Sequence, residues 1–298
     1  MKTIFITGAT GFIGKHLVKA IDTKKYKVLC MARQSSDTSF MNNLNVEKVT
    51  SNLDNLFTLS HYMKGVDVVI HLAANLGYKD MAELESTNIQ GTKNLLQAAK
   101  ESGVKRIIAM SSVSALMTNI TNYGITKRES DKLIMESGIP YTLLRPSLIL
   151  GKGCHGFERI VSHIKKFPFA VPIIGDGNFK TQPVHINDIV KLILNIIENE
   201  STLNKIYPCA GPTQLTFNDF VKLILTKMNK RKKLVHVPIK MCYAIASCFG
   251  DLESAPVTKN GILTFTQDMI IDISSTVKEL KFTPTPLEKA VELSLKEL

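Results

Sequence analysis

Thr3-Ile4-Phe5-Ile6-Thr7-Gly8-Ala9-Thr10-Gly11-Phe12-Ile13-Gly14 opens the chain with a short apolar run and three glycines spaced G-x-x-G-x-x-G, ahead of a helical pattern at 12–23. The run has the composition of a strand, and residues 12–23 have the period of a helix. In that setting each glycine has its own task. Gly8 permits a tight strand-to-helix turn, Gly11 lets the backbone approach a phosphate, and Gly14 lets helix and strand pack closely. Free N–H groups at the helix N-terminus, with their partial positive charge, then favour a pyrophosphate. The turn predicts a dinucleotide site at Gly8, Thr10, Gly11, Phe12, Ile13 and Gly14. A magnesium-nucleotide loop is excluded, because Gly14-Lys15 is followed by His16 rather than Ser or Thr.

Outward from this turn, strand-like runs at 3–7, 27–31, 46–50, 66–71, 106–110 and 141–145 are continuously apolar, as parallel strands buried on both faces are. Helical patterns at 84–102 and 123–136 lie among them, and Gly103 and Gly138 sit at helix ends just before strands. The alternation implies an α/β fold, a doubly wound parallel Rossmann-type sheet of order 3-2-1-4-5-6. After Arg145-Pro146 the rhythm breaks. Residues 151–156 read as a loop between domains. A helix at 188–199, capped by Asn187, and a strand at 206–210 are expected to return to the sheet. The division predicted is a dinucleotide-binding domain over 1–150, rejoined by 182–210, and a smaller mixed α/β substrate lobe over 151–298.

A chain of 298 residues with 44% hydrophobic and 21% charged residues has the balance of an ordinary globular protein. No apolar run is long enough to span a bilayer, and no secretory leader is read at the N-terminus. The five cysteines form no C-x-x-C pair, so neither a disulfide framework nor a metal site is expected, and a reducing cytoplasm fits. The net charge of +11 points to an anionic partner. Its one dense run, Lys230-Arg231-Lys232-Lys233, reads as a solvated loop before a strand-like 234–237. The apolar stretch 241–249 nearby adds a membrane-surface reading. No motif supports nucleic-acid binding.

Cofactor choice turns on the end of the second strand, where a carboxylate would accept hydrogen bonds from an adenosine ribose. Here the run is Val28-Leu29-Cys30-Met31-Ala32-Arg33, with no acid before Asp37. Arg33 suits a 2′-phosphate, so NADP(H) is favoured over NAD(H). Further along, Tyr123-Gly124-Ile125-Thr126-Lys127 sets a phenol and an ammonium at i and i+4, on one helical face. The cation lowers a phenol pKa of about 10 toward the range useful for proton transfer. Ser111-Ser112 ends the fifth strand, at the carboxyl edge where such sheets bind ligands.

Together these residues resemble the short-chain dehydrogenase/reductase superfamily in its extended or atypical branch, the NAD-dependent epimerase/dehydratase type. The likeness covers nearly the whole chain, through residues 7–14, 67–74 (Asp67 to Ala74), 88–92, Ser111-Ser112, Tyr123 to Lys127, Arg145-Pro146 and 184–188. It implies Tyr123 as acid/base, Lys127 as the group that tunes it and binds the nicotinamide ribose, and Ser112 rather than Ser111 on the substrate oxygen. It implies Asn88 as support for the lysine through water. Leu72, Ala73, Ala74 and Pro146 would line the cofactor, with Asn52 and Leu53 beside the adenine, where Asn52 replaces the usual aspartate.

The implied activity is an NAD(P)(H)-dependent oxidoreductase or epimerase acting on a small secondary alcohol or ketone, in a chain compatible with a homodimer. A non-catalytic dinucleotide-binding sensor or assembly protein and a nucleotide-sugar 4-epimerase are the alternatives. Dehydration of a sugar nucleotide is not expected, because residues 113–122 contain no Asp or Glu. A firm diphosphate grip is not expected either, since Thr181 stands where an arginine is usual and Lys180 would offer only a point charge. His185 is read as a residue of the domain junction and His71 as a strand-end core residue.

Overall fold

The computed structural model describes residues 1–77, 81–249 and 258–298. Seven strands form the main sheet: β1 (Lys2–Thr7), β2 (Tyr26–Ala32), β3 (Glu47–Thr50), β4 (Val68–His71), β5 (Arg106–Met110), β6 (Tyr141–Pro146) and β7 (Lys205–Cys209). All neighbours are parallel, in the order β7-β6-β5-β4-β1-β2-β3. Read from the other edge this is 3-2-1-4-5-6, extended by the returning strand at 205–209.

Successive strand residues feed opposite faces, which gives three layers. Ile4, Ile6, Val28, Ile70 and Ile108 pack with helices α1 (Phe12–Ala20) and α5 (Ile186–Ile196). Phe5, Leu29, Val69, Ile107 and Leu143 pack on the other side with α2 (Leu56–Tyr62), α3 (Gly91–Glu101) and α4 (Asn122–Glu136). Each such side chain, fully buried, contributes about 1.5–3 kcal/mol. A separate cluster, including Leu150, Phe157, Val171, Phe220 and Val291, forms the core of the C-terminal lobe.

The details depart from the pattern in four places. The helix at 12–23 stops at Ala20, because Ile21 is already extended and Asp22 caps the following turn. The helix at 84–102 is broken: a turn at Met81–Leu84, a π-helical stretch at Glu85–Gln90, then α3. Helix α2 lies outside the sequence pattern; Asn55 caps it by accepting the Thr58 N–H at 3.0 Å. Finally, α5 is capped by His185, not Asn187: the His185 Nδ1 accepts the Asn187 N–H at 3.3 Å.

Candidate active site

Gly8 holds φ +68° where β1 turns into α1, and a Cβ there would lie 2.6 Å from the Ala73 nitrogen and 2.7 Å from the Leu72 carbonyl carbon. A Cβ on Gly14 would sit 2.7 Å from the Ala9 Cα. Two of the three glycines thus let β1, α1 and the loop after β4 pack backbone against backbone, where any side chain would clash, and this tight turn forms the cradle at the α1 N-terminus. The α1 N-terminus has no side-chain cap and no acid in its first turn. Thr10, Phe12 and Ile13 are half-buried around it and Gly11 is exposed. Backbone approach, free N–H groups and positive potential meet there, so these residues fit a pyrophosphate.

A directed chain of hydrogen bonds runs inward from this cradle. Thr92 donates its hydroxyl hydrogen to the Asn88 carbonyl at 2.6 Å, so at His71 Nε2, 3.2 Å away, it can only accept. His71 therefore carries its hydrogen on Nε2, and Nδ1 accepts from the Thr7 hydroxyl at 2.7 Å. The Thr7 oxygen in turn accepts the Ala73 N–H at 3.3 Å. His71 is buried, and that burial, with the Lys127 charge as a second cause, pushes its pKa down to about 3. A neutral imidazole thus bridges Thr7 at the end of β1 to Thr92 at the start of α3.

Asn88 sits in that stretch, the kind of irregularity often found at functional sites. Its amide accepts the Asn75 N–H at 2.7 Å and donates to the Asn75 carbonyl at 3.0 Å and the Thr126 hydroxyl at 2.9 Å. Its carbonyl also receives the Ser130 hydroxyl at 2.6 Å. Asn88 thus grips α4 on both sides of Lys127, through direct bonds to Thr126 and Ser130.

Helix α4 begins at the Thr121 cap, whose hydroxyl accepts the Gly124 N–H at 3.1 Å, so half-buried Tyr123 lies in the first turn. There the helix dipole favours a phenolate. Lys127 is one turn deeper and 3% exposed; burial lowers its pKa, and the Asp131 carboxylate one further turn on opposes that shift. Gly124 brings the helix against the serine segment: a Cβ would stand 2.5 Å from the Ser114 carbonyl oxygen. Arg128 fastens the same segment by donating to the Ala115 and Met117 carbonyls at 2.8 and 3.0 Å. Ser112 is half-buried and accepts the Ser114 N–H at 3.1 Å, whereas buried Ser111 donates to Asp131 at 2.7 Å. Ser111 is thus committed to Asp131, whereas the Ser112 hydroxyl is bonded only within its own turn among the described residues.

Asp131 and Arg145 are additions to the site read from sequence. Asp131 Oδ2 accepts from Arg145 Nε at 3.1 Å and Nη2 at 2.9 Å. The signal for Asp131 is the further i+4 step from Lys127; Arg145 comes from β6 and carries no such mark. Asn260 is a third addition. Its side-chain oxygen accepts the Asn122 N–H at 3.3 Å, while Gln267 donates to the Asn119 carbonyl at 2.8 Å. The lobe therefore lies against the first turn of the Tyr123 helix.

At the end of β2, Arg33 is exposed, and Asp37, also exposed, accepts the Ser39 N–H at 2.9 Å. Asn52 is exposed and accepts the N–H groups of Asp54 and Asn55, each at 3.1 Å. Leu53 packs into the core and its carbonyl accepts from Asn94 at 2.9 Å. Leu72, Ala73 and Ala74 are half-buried beside the cradle, and Pro146 is buried at the end of β6 beside Cys209. Lys180 is exposed, with its backbone N–H on Asp268 at 2.7 Å, and Thr181 is buried. His185 is buried at the head of α5, where Asp188 accepts the Thr285 N–H at 2.8 Å. No helix of the described residues is long and apolar enough to cross a membrane.

The family model for the NAD dependent epimerase/dehydratase family matches residues 4–210. A UDP-glucose 4-epimerase of Vibrio cholerae is 26% identical, over 95% of this chain and 91% of that protein. A ceramide reductase of Caulobacter vibrioides is 31% identical over 50% of this chain and 47% of its own length. The crystal structure of a UDP-glucose 4-epimerase with UDP-glucose from Thermotoga maritima superposes with a TM-score of 0.80 at 22% identity, covering 99% of this chain and 98% of that one.

Proposed function

The chain belongs to the NAD dependent epimerase/dehydratase family, and from that premise we propose that it interconverts a secondary alcohol and a ketone, with Tyr123 as the proton-transfer group, Lys127 as its tuning cation and Ser112 as the donor to the substrate oxygen. The observation that carries this is the buried Lys127 one turn below Tyr123, on a helix that Gly124 and Arg128 hold against residues 114–117, the segment that directly follows Ser112.

The chemistry of each group follows from its place. When bound, a nicotinamide supplies or takes the hydride. Ser112 has its acceptor side engaged by Ser114, so its hydroxyl hydrogen serves the substrate oxygen. Tyr123 gives its phenolic proton to that oxygen in reduction and recovers it in oxidation; the helix dipole and the Lys127 charge stabilise the phenolate between. The Asp131 carboxylate opposes the downward pull of burial on the Lys127 ammonium. Lys127 would also donate to the ribose hydroxyls of a bound dinucleotide.

The dinucleotide is NADP(H) in this reading. Arg33 stands exposed at the end of β2, no carboxylate follows it before Asp37, and Asp37 is engaged with Ser39. Arg33 would hold the 2′-phosphate and Gly8, Gly11 and Gly14 the pyrophosphate.

A second reading, a nucleotide-sugar 4-epimerase, draws support from the Vibrio cholerae relative, which matches over 95% of this chain. Against it, Thr181 is buried where a guanidinium would be needed, and Lys180 supplies only a point charge. The deciding experiment is a screen of ketones, secondary alcohols and uridine diphosphate sugars, read by absorbance of reduced nicotinamide and by sugar isomer analysis. Oxidoreduction of non-nucleotide substrates supports the first reading and turnover of a uridine diphosphate sugar the second. Cofactor retained through purification, with no turnover of any, would favour a sensor or assembly role.

A further inference from the structure

Helix His155–Lys166 of the lobe ends in Lys165 and Lys166 and runs straight into Phe167-Pro168-Phe169. Phe169 is 85% exposed and Phe167 38%. The basic run at 230–233 is strapped onto this turn: the Lys232 ammonium donates to the Ile164 and Phe167 carbonyls, and the Lys233 N–H donates to the Phe169 carbonyl at 3.2 Å. From there two parallel strands, Ala170–Ile174 and Lys233–Val237, lead to helix Ile239–Phe249. Val235 on the second strand is 49% exposed, and Ile239 and Met241 at the helix start are 41% and 51% exposed. Residues 160–174 and 220–250 together carry nine lysines and arginines and no aspartate or glutamate; Lys222 pairs with Asp219 and Lys227 with Glu292 outside these segments, and the other seven, the run at 230–233 among them, make no ion pair among the described residues.

We propose that this face of the lobe docks on an anionic lipid bilayer, with Phe167 and Phe169 entering the headgroup region and the basic run at 230–233 meeting acidic headgroups. Charge complementarity selects the partner: the basic run at 230–233 and Lys165-Lys166 meet at the aromatic turn, and each basic side chain near an anionic leaflet adds to attraction. The aromatic tip selects a bilayer over a soluble polyanion, because two exposed phenylalanines beside cations suit the boundary between headgroups and acyl chains. A purely electrostatic contact has no use for them.

The test is vesicle flotation with the full chain. Phosphatidylcholine vesicles carrying about a third phosphatidylglycerol are compared with pure phosphatidylcholine, at low and high salt. The variants are Phe167→Ser with Phe169→Ser, and Lys230→Glu with Arg231→Glu and Lys233→Glu; Lys232 is left alone because it caps the helix. Thermal melting and cofactor titration check that each variant is folded. The expected result is flotation with the anionic vesicles only, falling on the order of tenfold or more in both variants. Absence of flotation overturns the proposal. So does binding that salt abolishes and the phenylalanine substitutions leave unchanged, which marks a soluble polyanion such as an acidic protein or nucleic acid as the partner.

Discussion

Asp131 holds Arg145 through a single carboxylate oxygen, Oδ2, at 2.9 Å from Nη2, and the same oxygen takes the Ser111 hydroxyl at 2.7 Å. Oδ1 is buried without a hydrogen-bond partner among the described residues. With the Asp131 side chain 3% exposed and that of Arg145 17%, the pair is a buried one, one helical turn from Lys127. It ties together the end of β5, α4 and β6, the three elements on which the proposed chemistry depends.

Asp131→Asn should therefore cost stability and change the pH profile together. Breaking a buried pair from one side typically costs about 3–5 kcal/mol, and the lower end applies because Arg145 keeps some solvent. Without the carboxylate, nothing offsets the downward pull of burial on Lys127. The lysine then loses its proton at lower pH, and the alkaline limb of the rate profile should move to lower pH. A profile unchanged on that side, in a variant shown to be folded, would remove Asp131 from the proposed tuning.

Tyr123→Phe should lose about 10²–10⁴ in turnover, the usual worth of general acid/base catalysis, with cofactor affinity little changed. The phenol acts on the substrate, whereas the pyrophosphate cradle lies at the end of β1. Lys127→Ala should damage both turnover and cofactor binding. Wild-type turnover in Tyr123→Phe would refute the assignment.

Arg33→Asp should reverse a preference for NADPH over NADH, since a carboxylate repels a 2′-phosphate and accepts from ribose hydroxyls. Fluorescence titration of both cofactors measures this. Tighter binding of NADH by the unaltered chain would count against Arg33 as the phosphate group.

Gly124→Ala tests the contact that brings serine and tyrosine together. The new methyl would lie 2.5 Å from the Ser114 oxygen and 2.8 Å from Ile120 Cγ1. Backbone must shift to admit it, so turnover should fall while binding of the dinucleotide persists. Unimpaired turnover would show that Ser112 and Tyr123 need no such close approach.

His71 should make stability fall in acid. Its folded pKa, about 3, lies below the ordinary 6.5, so between those values the unfolded chain binds a proton that the folded chain refuses. The contribution is full above 6.5 and is lost as pH falls toward 3. His71→Gln can keep both hydrogen bonds without titrating and should flatten the melting temperature across that window. An equal slope in both proteins would assign the acid sensitivity to other groups.

Much of this is legible in the sequence because it is local. The glycine spacing at 8–14, the continuous apolar runs and the i to i+4 step from Tyr123 to Lys127 are short-range patterns, and the sheet order with its returning strand at 205–209 follows from them. The resemblance implies Ser112 rather than Ser111 as the substrate group, and the structure adds that Ser111 donates to Asp131. His185 reads as a junction residue and stands buried at the head of α5. Two features that escape the sequence are also local but subtler. The π-helical stretch at Glu85–Gln90 and the cap of α5 depend on which carbonyls and N–H groups find partners, which periodicity does not report.

By itself, then, the sequence determined the parallel α/β sheet, the glycine cradle and the tyrosine–lysine helix, since strand burial and helical period are set by residues a few positions apart. Tertiary structure alone decided that Arg145 would meet Asp131, that His71 would be a neutral bridge from Thr7 to Thr92, and that Asn260 would reach Asn122 across 138 residues of chain. The reason is physical. A buried charge or imidazole takes its state from whatever the fold packs against it, and those partners come from different strands and from the lobe.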